Sequence, residues 1–299
     1  MPAQIWPVTD AFAAEVGDVD LSQPLSDKDW ASIEAAYSQY SVLIFPDQHL
    51  DQGQHVDFAR RFGQIDVSMV ADMSNADVRV PTDIADVSNL DGAGQVMAAD
   101  NRMLDFQRGN RLWHTDSSFK PTPANASLLY IQKIPPVGGQ TEFADMRAAY
   151  DALAVAEQQW LTGKIALHSI ANSRYKMGFE MSAEENAAYP RVPQAMVRTH
   201  RQSGRRSLYI ASHAGAILGV SQTQAQARLE KLMAHATQRQ FVYTHRWRAH
   251  DLVIWDNRCV LHRGRPFDDL RWPRDAQRAT SLDIASTCEQ EGLEPGTAA

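Results

Sequence analysis

The sequence has few cysteines, no long apolar run and no overall positive charge. Its two cysteines, Cys259 and Cys288, cannot form a disulfide framework, and their spacing matches no zinc motif. A reducing, cytoplasmic location is therefore expected. The longest local apolar run, residues 41–45, has the length of a strand, whereas a bilayer span needs roughly 20 residues. The N-terminus lacks a basic start and an apolar stretch, so we expect no signal peptide and no membrane partner.

The charge is unevenly distributed along the chain. The formal net charge is −7, yet residues 191–280 hold 16 Lys and Arg against 6 Asp and Glu. The other 209 residues hold 13 basic against 30 acidic side chains. Overall acidity argues against a nucleic-acid partner. The basic third is better interpreted as a segment that carries a pocket for a small organic anion than as a binding face for a polyanion.

The chain turns strand-rich after about residue 110, and this indicates its fold class. We predict helices over residues 28–40, 51–62, 145–153 and 222–236. The predicted strands are 41–45, 84–89, 126–131, 140–144, 164–171, 195–200, 207–210, 241–247, 252–256, 259–264 and 279–285. Many short strands with few helices are typical of an antiparallel sandwich or jelly roll. We expect one domain over residues 1–299, with a loop-rich lid at about 66–110 and a loose tail at about 287–299.

The segment Trp-His-Thr-Asp at residues 113–116 is the strongest sign of chemistry. On a strand, residues i and i+2 point to the same face, so His114 and Asp116 present an imidazole and a carboxylate side by side. His262 is the best candidate for a third ligand. Two histidines and one carboxylate, with open positions opposite, form the facial triad of non-haem Fe(II) oxygenases. The alternative is a solvated His-Asp pair on a strand and an ordinary core histidine.

Arginines follow His262 at positions 271, 274 and 278. A guanidinium fork binds a carboxylate through two parallel hydrogen bonds, so an arginine near a metal site suits a dicarboxylate co-substrate. The alternative for any single arginine is a surface charge, and this is our interpretation of Arg263, Arg265 and Arg271.

Four segments of the chain resemble the TauD/TfdA family of Fe(II)- and 2-oxoglutarate-dependent dioxygenases. They are residues 112–119, 138–153, 236–243 and 255–264, within a resemblance that extends from about residue 9 to 285. The resemblance implies a mainly β fold with flanking helices, the double-stranded β-helix or cupin-like jelly roll. It also implies Fe(II) bound by His114, Asp116 and His262, with 2-oxoglutarate and O2 as co-substrates.

The resemblance further assigns residues to the two organic molecules. It implies that Thr141 and Arg274 bind the distal carboxylate of 2-oxoglutarate, and that Arg278 binds the carboxylate of the substrate. The choice of Arg274 over Arg271 depends on aligning the chain at Arg278, because the preceding loop varies in length.

The resemblance also indicates residues that line the substrate pocket. These are Asn110, Ser117 and His200, together with His213, which lies in a segment that the family shares. The alternative for His200 is a strand histidine bonded to the backbone, and His213 is similarly undecided. In the long segment 66–110, Met69, Val70 and Met73 are further pocket candidates.

Segments 145–153 and 257–264 favour the branch of the family that acts on phenoxyacetates. That branch implies hydroxylation of an aryloxyalkanoate such as 2,4-dichlorophenoxyacetate at the carbon next to the ether oxygen, which gives a phenol, glyoxylate, succinate and CO2. The alternatives are the same chemistry on taurine, an alkyl sulfonate or sulfate, or another small carboxylic acid. A non-catalytic metal- or anion-binding β-barrel is a third interpretation, and assembly as a homo-oligomer stays open.

No lysine occurs between Lys28 and Lys120. The cations in and beside segment 66–110 that could receive the substrate anion are therefore all arginines: Arg79, Arg102, Arg108 and Arg111.

Overall fold

The computed structural model describes residues 2–68 and 79–296. The pocket candidates Met69, Val70 and Met73 lie outside the described residues. The strands are β1 Gln4–Pro7, β2 Ala13–Gly17, β3 Val42–Phe45, β4 Ala85–Asp86, β5 Ala124–Lys133, β6 Thr141–Asp145, β7 Ile165–His168, β8 Val192–Ala195, β9 Val197–Thr199, β10 Arg206–Leu208, β11 Ala214–Ile217, β12 Val242–His245, β13 Leu252–Asp256, β14 Val260–Gly264 and β15 Asp275–Leu282. The α-helices are α1 Asp27–Tyr40, α2 Gln52–Arg60, α3 Arg102–Arg108, α4 Met146–Asp151, α5 Val155–Leu161, α6 Ile170–Tyr175, α7 Ala183–Ala188, α8 Gln222–Ala236 and α9 Thr287–Gln290, and short 3₁₀ turns span Gly109–Arg111 and Arg239–Phe241.

Two sheets face each other around a shared core. The larger has the strand order β1-β2-β3-β13-β5-β15-β4, and the smaller has the order β12-β6-β14. Phe143 and Val260 of the smaller sheet pack in one cluster with Leu129, Val253 and Ala276 of the larger sheet. This arrangement, with helices outside it, confirms the predicted mainly β jelly roll. Two smaller sheets, β11-β7-β8 and β10-β9, flank it.

Central strands of the larger sheet are buried on both faces. In β13, Leu252 and Ile254 pack in the outer cluster under α1 and α2, whereas Val253 and Trp255 pack in the inner cluster between the sheets. This division follows from the two-residue period of a strand. It also explains why these strands are almost uninterrupted apolar runs in the sequence.

Helix boundaries follow the capping residues. Asp51 caps α2 in a reciprocal capping box with Gln54, and the Asp145 carboxylate accepts from the first backbone N–H groups of α4. Both caps confirm the predicted helix starts. Helix α8 has the predicted bounds.

The structure corrects three expectations. The strand predicted over 164–171 ends at His168, and helix α6 follows from Ile170. The long segment 66–110 contains helix α3 besides the short strand β4.

The third correction concerns the C-terminal tail. Residues 287–290, expected to be part of a loose tail, form α9, which a side-chain bond ties to β8: the Thr287 hydroxyl donates to Gln194 Oε1 at 2.6 Å. The Thr287 Oγ1 atom also accepts from the backbone N–H of Ala195 at 2.8 Å.

In the part of the chain that the structure describes, we find no helix with the length and apolar character of a membrane span.

Candidate active site

Strand periodicity brings the candidate residues to the inner face of the jelly roll. His262 lies two residues from Val260 on β14, and Val260 is part of the inner cluster. Arg278 lies two residues from Ala276 of the same cluster. Because alternate residues of a strand share a face, the side chains of His262 and Arg278 point between the sheets. Arg274 precedes β15, beyond a register irregularity at its first residues, so strand parity does not place its side chain.

His114, Asp116 and His262 come together at the edge of β14. The backbones of His114 and His262 exchange two hydrogen bonds of 3.0 and 2.8 Å, which fixes the two imidazoles beside each other. His114 Nε2 lies 3.8 Å from Asp116 Oδ1, and His262 Nε2 lies 3.5 Å from Asp116 Oδ2. The three ligand atoms all lie within 4.8 Å of one another, and the three residues are buried.

This donor set fits a divalent cation. His114 Nε2 is buried and has no hydrogen-bond partner among the described residues. His114 Nδ1 lies 2.8 Å from the carbonyl of Leu112, which favours the tautomer that carries its hydrogen on Nδ1 and leaves a lone pair on Nε2. Two imidazole nitrogens, one carboxylate and no thiolate suit Fe(II) or Mn(II) better than a structural zinc ion.

Asn257 orients the segment that carries His114 and Asp116. Its Oδ1 atom accepts hydrogen bonds from the backbone N–H of Asp116 and from Trp255 Nε1, both at 3.0 Å. Its Nδ2 atom donates to Ser127 Oγ at 2.9 Å, and Ser127 Oγ donates to Asp116 Oδ2 at 2.7 Å. Sequence reasoning did not single out Asn257 or Ser127, although Asn257 lies in one of the four family-like segments.

The surroundings keep the histidines neutral and the aspartate ionised. Burial lowers the pKa of His114 to about 4 and the pKa of His262 well below its usual value. Burial alone would raise the pKa of Asp116, but the positive charge of Arg278 acts together with the neighbouring histidines and the Ser127 hydrogen bond to hold it at about 2. Neutral imidazoles and an ionised carboxylate are the forms that bind a metal ion.

Two cavities meet at this triad. One, the Thr141 cavity, is lined by Thr141, His262 and Arg274 among others. The second, the Phe119 cavity, is lined by residues that include Asp66, Val67, Phe106, Asn110, Asp116, Ser117, Phe119, Lys120, Ile170, Arg174 and His213. His114, Asn110 and Arg278 line both cavities, so the triad lies at the boundary between them.

The Thr141 cavity offers two groups for an anion. Burial lowers the pKa of Arg274 to about 10, so it stays a cation at neutral pH. Trp247 Nε1 donates to Thr141 Oγ1 at 3.0 Å, which leaves the threonine hydroxyl hydrogen available to another acceptor. Arg271 is exposed, lies over the ring of Trp272 and is absent from the described lining of either cavity. The geometry therefore favours Arg274 over Arg271.

Arg278, Asn110, Ser117 and His213 all line the Phe119 cavity. Arg278 Nη1 lies 2.7 Å from Asp116 Oδ1. Ser117 Oγ donates to Asp66 Oδ2 at 2.6 Å. His213 Nδ1 lies 2.9 Å from Ser118 Oγ, and its ring centroid is 6.1 Å from that of His114.

His200 lies elsewhere, and the prediction that it lines the substrate pocket is wrong for the cavities described. Its Nε2 atom lies 2.9 Å from Asp256 Oδ2 and 3.2 Å from Arg258 Nη2, and its Nδ1 atom lies 2.9 Å from Ser203 Oγ. The alternative of a backbone-bonded histidine is confirmed in part, because the backbone N–H of Ser203 donates to His200 Nδ1 at 3.3 Å, although the other partners are side chains and the residue directly follows β9. His200 belongs to a buried ionic cluster around Asp256, which the sequence pattern does not distinguish from a pocket position.

The arginines in and beside segment 66–110 are all engaged in ion pairs. Arg79 pairs with Asp86 and Asp275, and Arg102 pairs with Glu185. Arg108 and Arg111 both pair with Asp269. The Phe119 cavity instead contains a buried arginine that sequence reasoning missed, Arg174 on α6, because its segment matches no motif and was predicted partly as a strand.

Comparisons with known proteins agree with this geometry. The family described as "Taurine catabolism dioxygenase TauD, TfdA family" matches residues 4–280. An alpha-ketoglutarate-dependent 2,4-dichlorophenoxyacetate dioxygenase from Cupriavidus pinatubonensis is 42% identical over 93% of this chain and 97% of that protein. An (S)-phenoxypropionate/alpha-ketoglutarate-dioxygenase from Sphingobium herbicidovorans is 37% identical over 88% of this chain and 90% of its own.

A solved structure gives the same relationship. It is described as AAD-2 in complex with Mn(II) and N-oxalylglycine, and it covers 96% of this chain and 99% of its own. Its TM-score is 0.88 at 41% sequence identity. Both the sequence match over nearly the whole chain and the shared fold lead to one conclusion. The chain belongs to the TauD/TfdA family of dioxygenases.

Proposed function

We propose that this protein is an Fe(II)- and 2-oxoglutarate-dependent dioxygenase that hydroxylates an aryloxyalkanoate at the carbon next to the ether oxygen. The observation that carries the proposal is the meeting of two cavities at one His-Asp-His triad, with Arg274 in one cavity and Arg278 at their boundary. One cavity suits a dicarboxylate co-substrate and the other suits an organic acid with an apolar body.

His114, Asp116 and His262 would hold the iron. When bound, the iron with O2 and 2-oxoglutarate supplies the oxidising chemistry, and 2-oxoglutarate leaves as succinate and CO2. The protein would present these three ligands in fixed positions, because backbone hydrogen bonds between His114 and His262 hold the two imidazoles and Ser127 holds the carboxylate.

Arg274 and Thr141 would bind the distal carboxylate of 2-oxoglutarate. No carboxylate lies within ion-pair distance of Arg274 in residues 2–68 and 79–296, so its charge is available to a ligand. A guanidinium and a hydroxyl donor at one end of a cavity fix the register of a dicarboxylate along it. The other end of the molecule then lies toward the triad.

Arg278 would bind the substrate carboxylate, and the aryl ring would contact Phe106, Phe119 and Ile170, which line the same cavity. Holding the carboxylate beside the triad brings the adjacent carbon, which also carries the ether oxygen, nearest to the metal. Insertion of one oxygen atom from O2 into a C–H bond of that carbon gives a hemiacetal. The hemiacetal loses the phenol and leaves glyoxylate, and the second oxygen atom enters succinate.

A substrate panel tests the proposal. The panel contains 2,4-dichlorophenoxyacetate, both enantiomers of a 2-aryloxypropionate, taurine and an alkyl sulfate, each with Fe(II) and 2-oxoglutarate. We expect phenol and succinate to form together with the aryloxy acids and neither product to form with the His114→Ala variant. If succinate formed with taurine or the alkyl sulfate but not with the aryloxy acids, the enzyme would carry out the same chemistry on a different anion. The proposal would be contradicted if no compound of the panel stimulated oxygen consumption.

A further inference from the structure

Arg174 is a buried cation without a described counter-charge. Arg174 is only 6% exposed, and no carboxylate lies within ion-pair distance of its guanidinium in the described part of the chain. Its Nε atom is buried and has no hydrogen-bond partner among these residues. A buried, unpaired guanidinium is costly unless a ligand or partner supplies the missing charge.

The protein holds this guanidinium in place with contacts that do not neutralise it. The Arg174 guanidinium carbon lies 4.2 Å from the centroid of the Phe106 ring, and Nη1 donates to Ser173 Oγ at 2.9 Å. A Cβ atom at Gly109 would lie 2.2 Å from Nη1, so glycine at this position leaves the space that the guanidinium fills. The positive charge is therefore positioned but not paired.

Arg174 differs in this respect from the other cations of the Phe119 cavity. Lys120 pairs with Asp66 at 2.7 Å, and Arg278 pairs with Asp116 at 2.7 Å. Burial and the nearby charge of Arg278 lower the pKa of Arg174 to about 10, which still leaves it protonated at neutral pH. Of the three Lys and Arg side chains that line the cavity, Arg174 is the one without a carboxylate within ion-pair distance among the described residues, since the third lining carboxylate, Asp86, pairs with Arg79 at 3.2 Å.

A bound metal ion would leave a second guanidinium of this cavity without a counter-charge. Asp116 is the carboxylate that faces Arg278, and a divalent cation on the triad takes up its negative charge. Arg174 and Arg278 then line one cavity without a protein anion to balance either of them. An organic anion that enters the cavity supplies that balance.

We propose that Arg174 is a second anchor for the substrate carboxylate, and that it acts together with Arg278 to select anions over neutral analogues. The inference rests on the proposed function and deepens it, because it identifies a specificity-determining residue contributed by α6. It also identifies a cation available to receive the substrate, whereas the arginines in and beside segment 66–110 are engaged in ion pairs.

The test compares a charged and a neutral ligand on the iron-loaded enzyme. We expect Arg174→Met to lower the ratio of kcat/KM for 2,4-dichlorophenoxyacetate to that for its primary amide by about 10- to 100-fold. The KM for 2-oxoglutarate should stay within about twofold, as should the visible band of the anaerobic Fe(II)–2-oxoglutarate complex. As a readout independent of turnover, wild-type protein without metal should show a larger phenoxyacetate-induced rise in Tm than the variant.

Two further variants keep the test decisive. Gly109→Ala retains the charge but displaces the guanidinium, and it should lower the same acid-to-amide ratio even if Arg174→Met fails to fold. Arg102→Met is the matched control, since Arg102 also lies over an aromatic ring of the same cluster, that of Phe179, but pairs with Glu185. It should leave the ratio unchanged.

An unchanged acid-to-amide ratio in Arg174→Met and Gly109→Ala would overturn the inference. An equal loss for acid and amide would also overturn it, because it would indicate a packing role. A wild-type enzyme that releases no phenol from any aryloxy acid would instead overturn the proposed function.

Discussion

Arg278 Nη1 lies 2.7 Å from Asp116 Oδ1, so the expected substrate anchor is joined directly to an expected metal ligand. Burial raises the pKa of Asp116, but this arginine, together with the neighbouring histidines and the Ser127 hydroxyl, lowers it to about 2. A metal ion and a guanidinium therefore share one buried carboxylate. This relationship couples metal binding to the state of the substrate cavity, and it has consequences that can be measured separately.

Removal of Arg278 should strengthen metal binding while it weakens substrate binding. Arg278→Met takes away a cation that repels the metal and shares its carboxylate, so we expect the Kd for Mn(II) to fall by about 3- to 10-fold at low salt. Calorimetric titration with Mn(II) measures this. Arg263→Met is a suitable control because Arg263 pairs with Glu142. Weaker Mn(II) binding by Arg278→Met would contradict this prediction. It would show that Arg278 mainly positions the Asp116 carboxylate and does not compete with the metal ion for it.

The two candidate anchors should act on different molecules. Arg274→Met should raise the KM for 2-oxoglutarate by about 10- to 100-fold and change the KM for the aryloxy acid little, because each charged hydrogen-bond pair serves one ligand. Arg278→Met should show the reverse pattern. Steady-state kinetics with each ligand varied in turn separates the two, and identical behaviour of the variants would refute the assignment.

Asn257 should support the metal site through the residues that it orients. Asn257→Ala removes the acceptor for the Asp116 backbone N–H and the donor to Ser127, so we expect metal affinity to fall by about 10- to 100-fold. The comparison is Asn125→Ala, since Asn125 Nδ2 donates to the carbonyl of Phe62 away from the triad. Equal Mn(II) affinity of the Asn257 variant and wild type would contradict this role.

His55 should make the protein less stable in acid. Burial lowers its pKa to about 4, whereas the unfolded chain titrates at 6.5. The unfolded state therefore takes up a proton below pH 6.5 that the folded state does not accept until pH falls to about 4. The folded protein loses stability across this window as pH falls, by about 3 kcal/mol for this residue.

Urea unfolding measured at several pH values between about 4.5 and 7 checks the His55 prediction. His55→Gln keeps a donor for the carbonyl of Leu128 and should show a shallower loss of stability in acid than wild type. His49→Gln, at an exposed position, is the control. Parallel curves for wild type and His55→Gln would contradict the prediction.

The fold was predictable wherever local patterns and tertiary packing agree. Strands β3 and β13 are apolar on both faces, and Asp51 and Asp145 mark helix starts. Helix α6 was missed because the apolar residues in 164–171 suit a strand, whereas in the structure Ile170 and Ala171 pack with Phe106 and Phe179, which are distant from them in the sequence or follow the helix. The tail from Thr287 was missed because its anchoring bonds reach back about ninety residues to β8.

The candidate site was predictable where its residues are close in sequence, as His114 is to Asp116 and Arg274 to Arg278. The expected strand parity was wrong for His114 and Asp116, because Asp116 lies in a turn after the isolated β-bridge of His114, and it does not relate Arg274 to Arg278, because Arg274 precedes β15. Arg174 and Asn257 were not predictable, because their importance arises from contacts with residues that are distant in the chain. His200 was assigned to the pocket wrongly for a related reason. The sequence next to a strand is the same whether the histidine faces a cavity or, as here, the buried carboxylate of Asp256.

The most direct test of the central claim is the stoichiometry of one reaction. Wild-type protein with Fe(II), 2-oxoglutarate and 2,4-dichlorophenoxyacetate should release one phenol for each succinate formed and each O2 consumed. Succinate formation at the same rate with and without the aryloxy acid, and no phenol, would contradict the account.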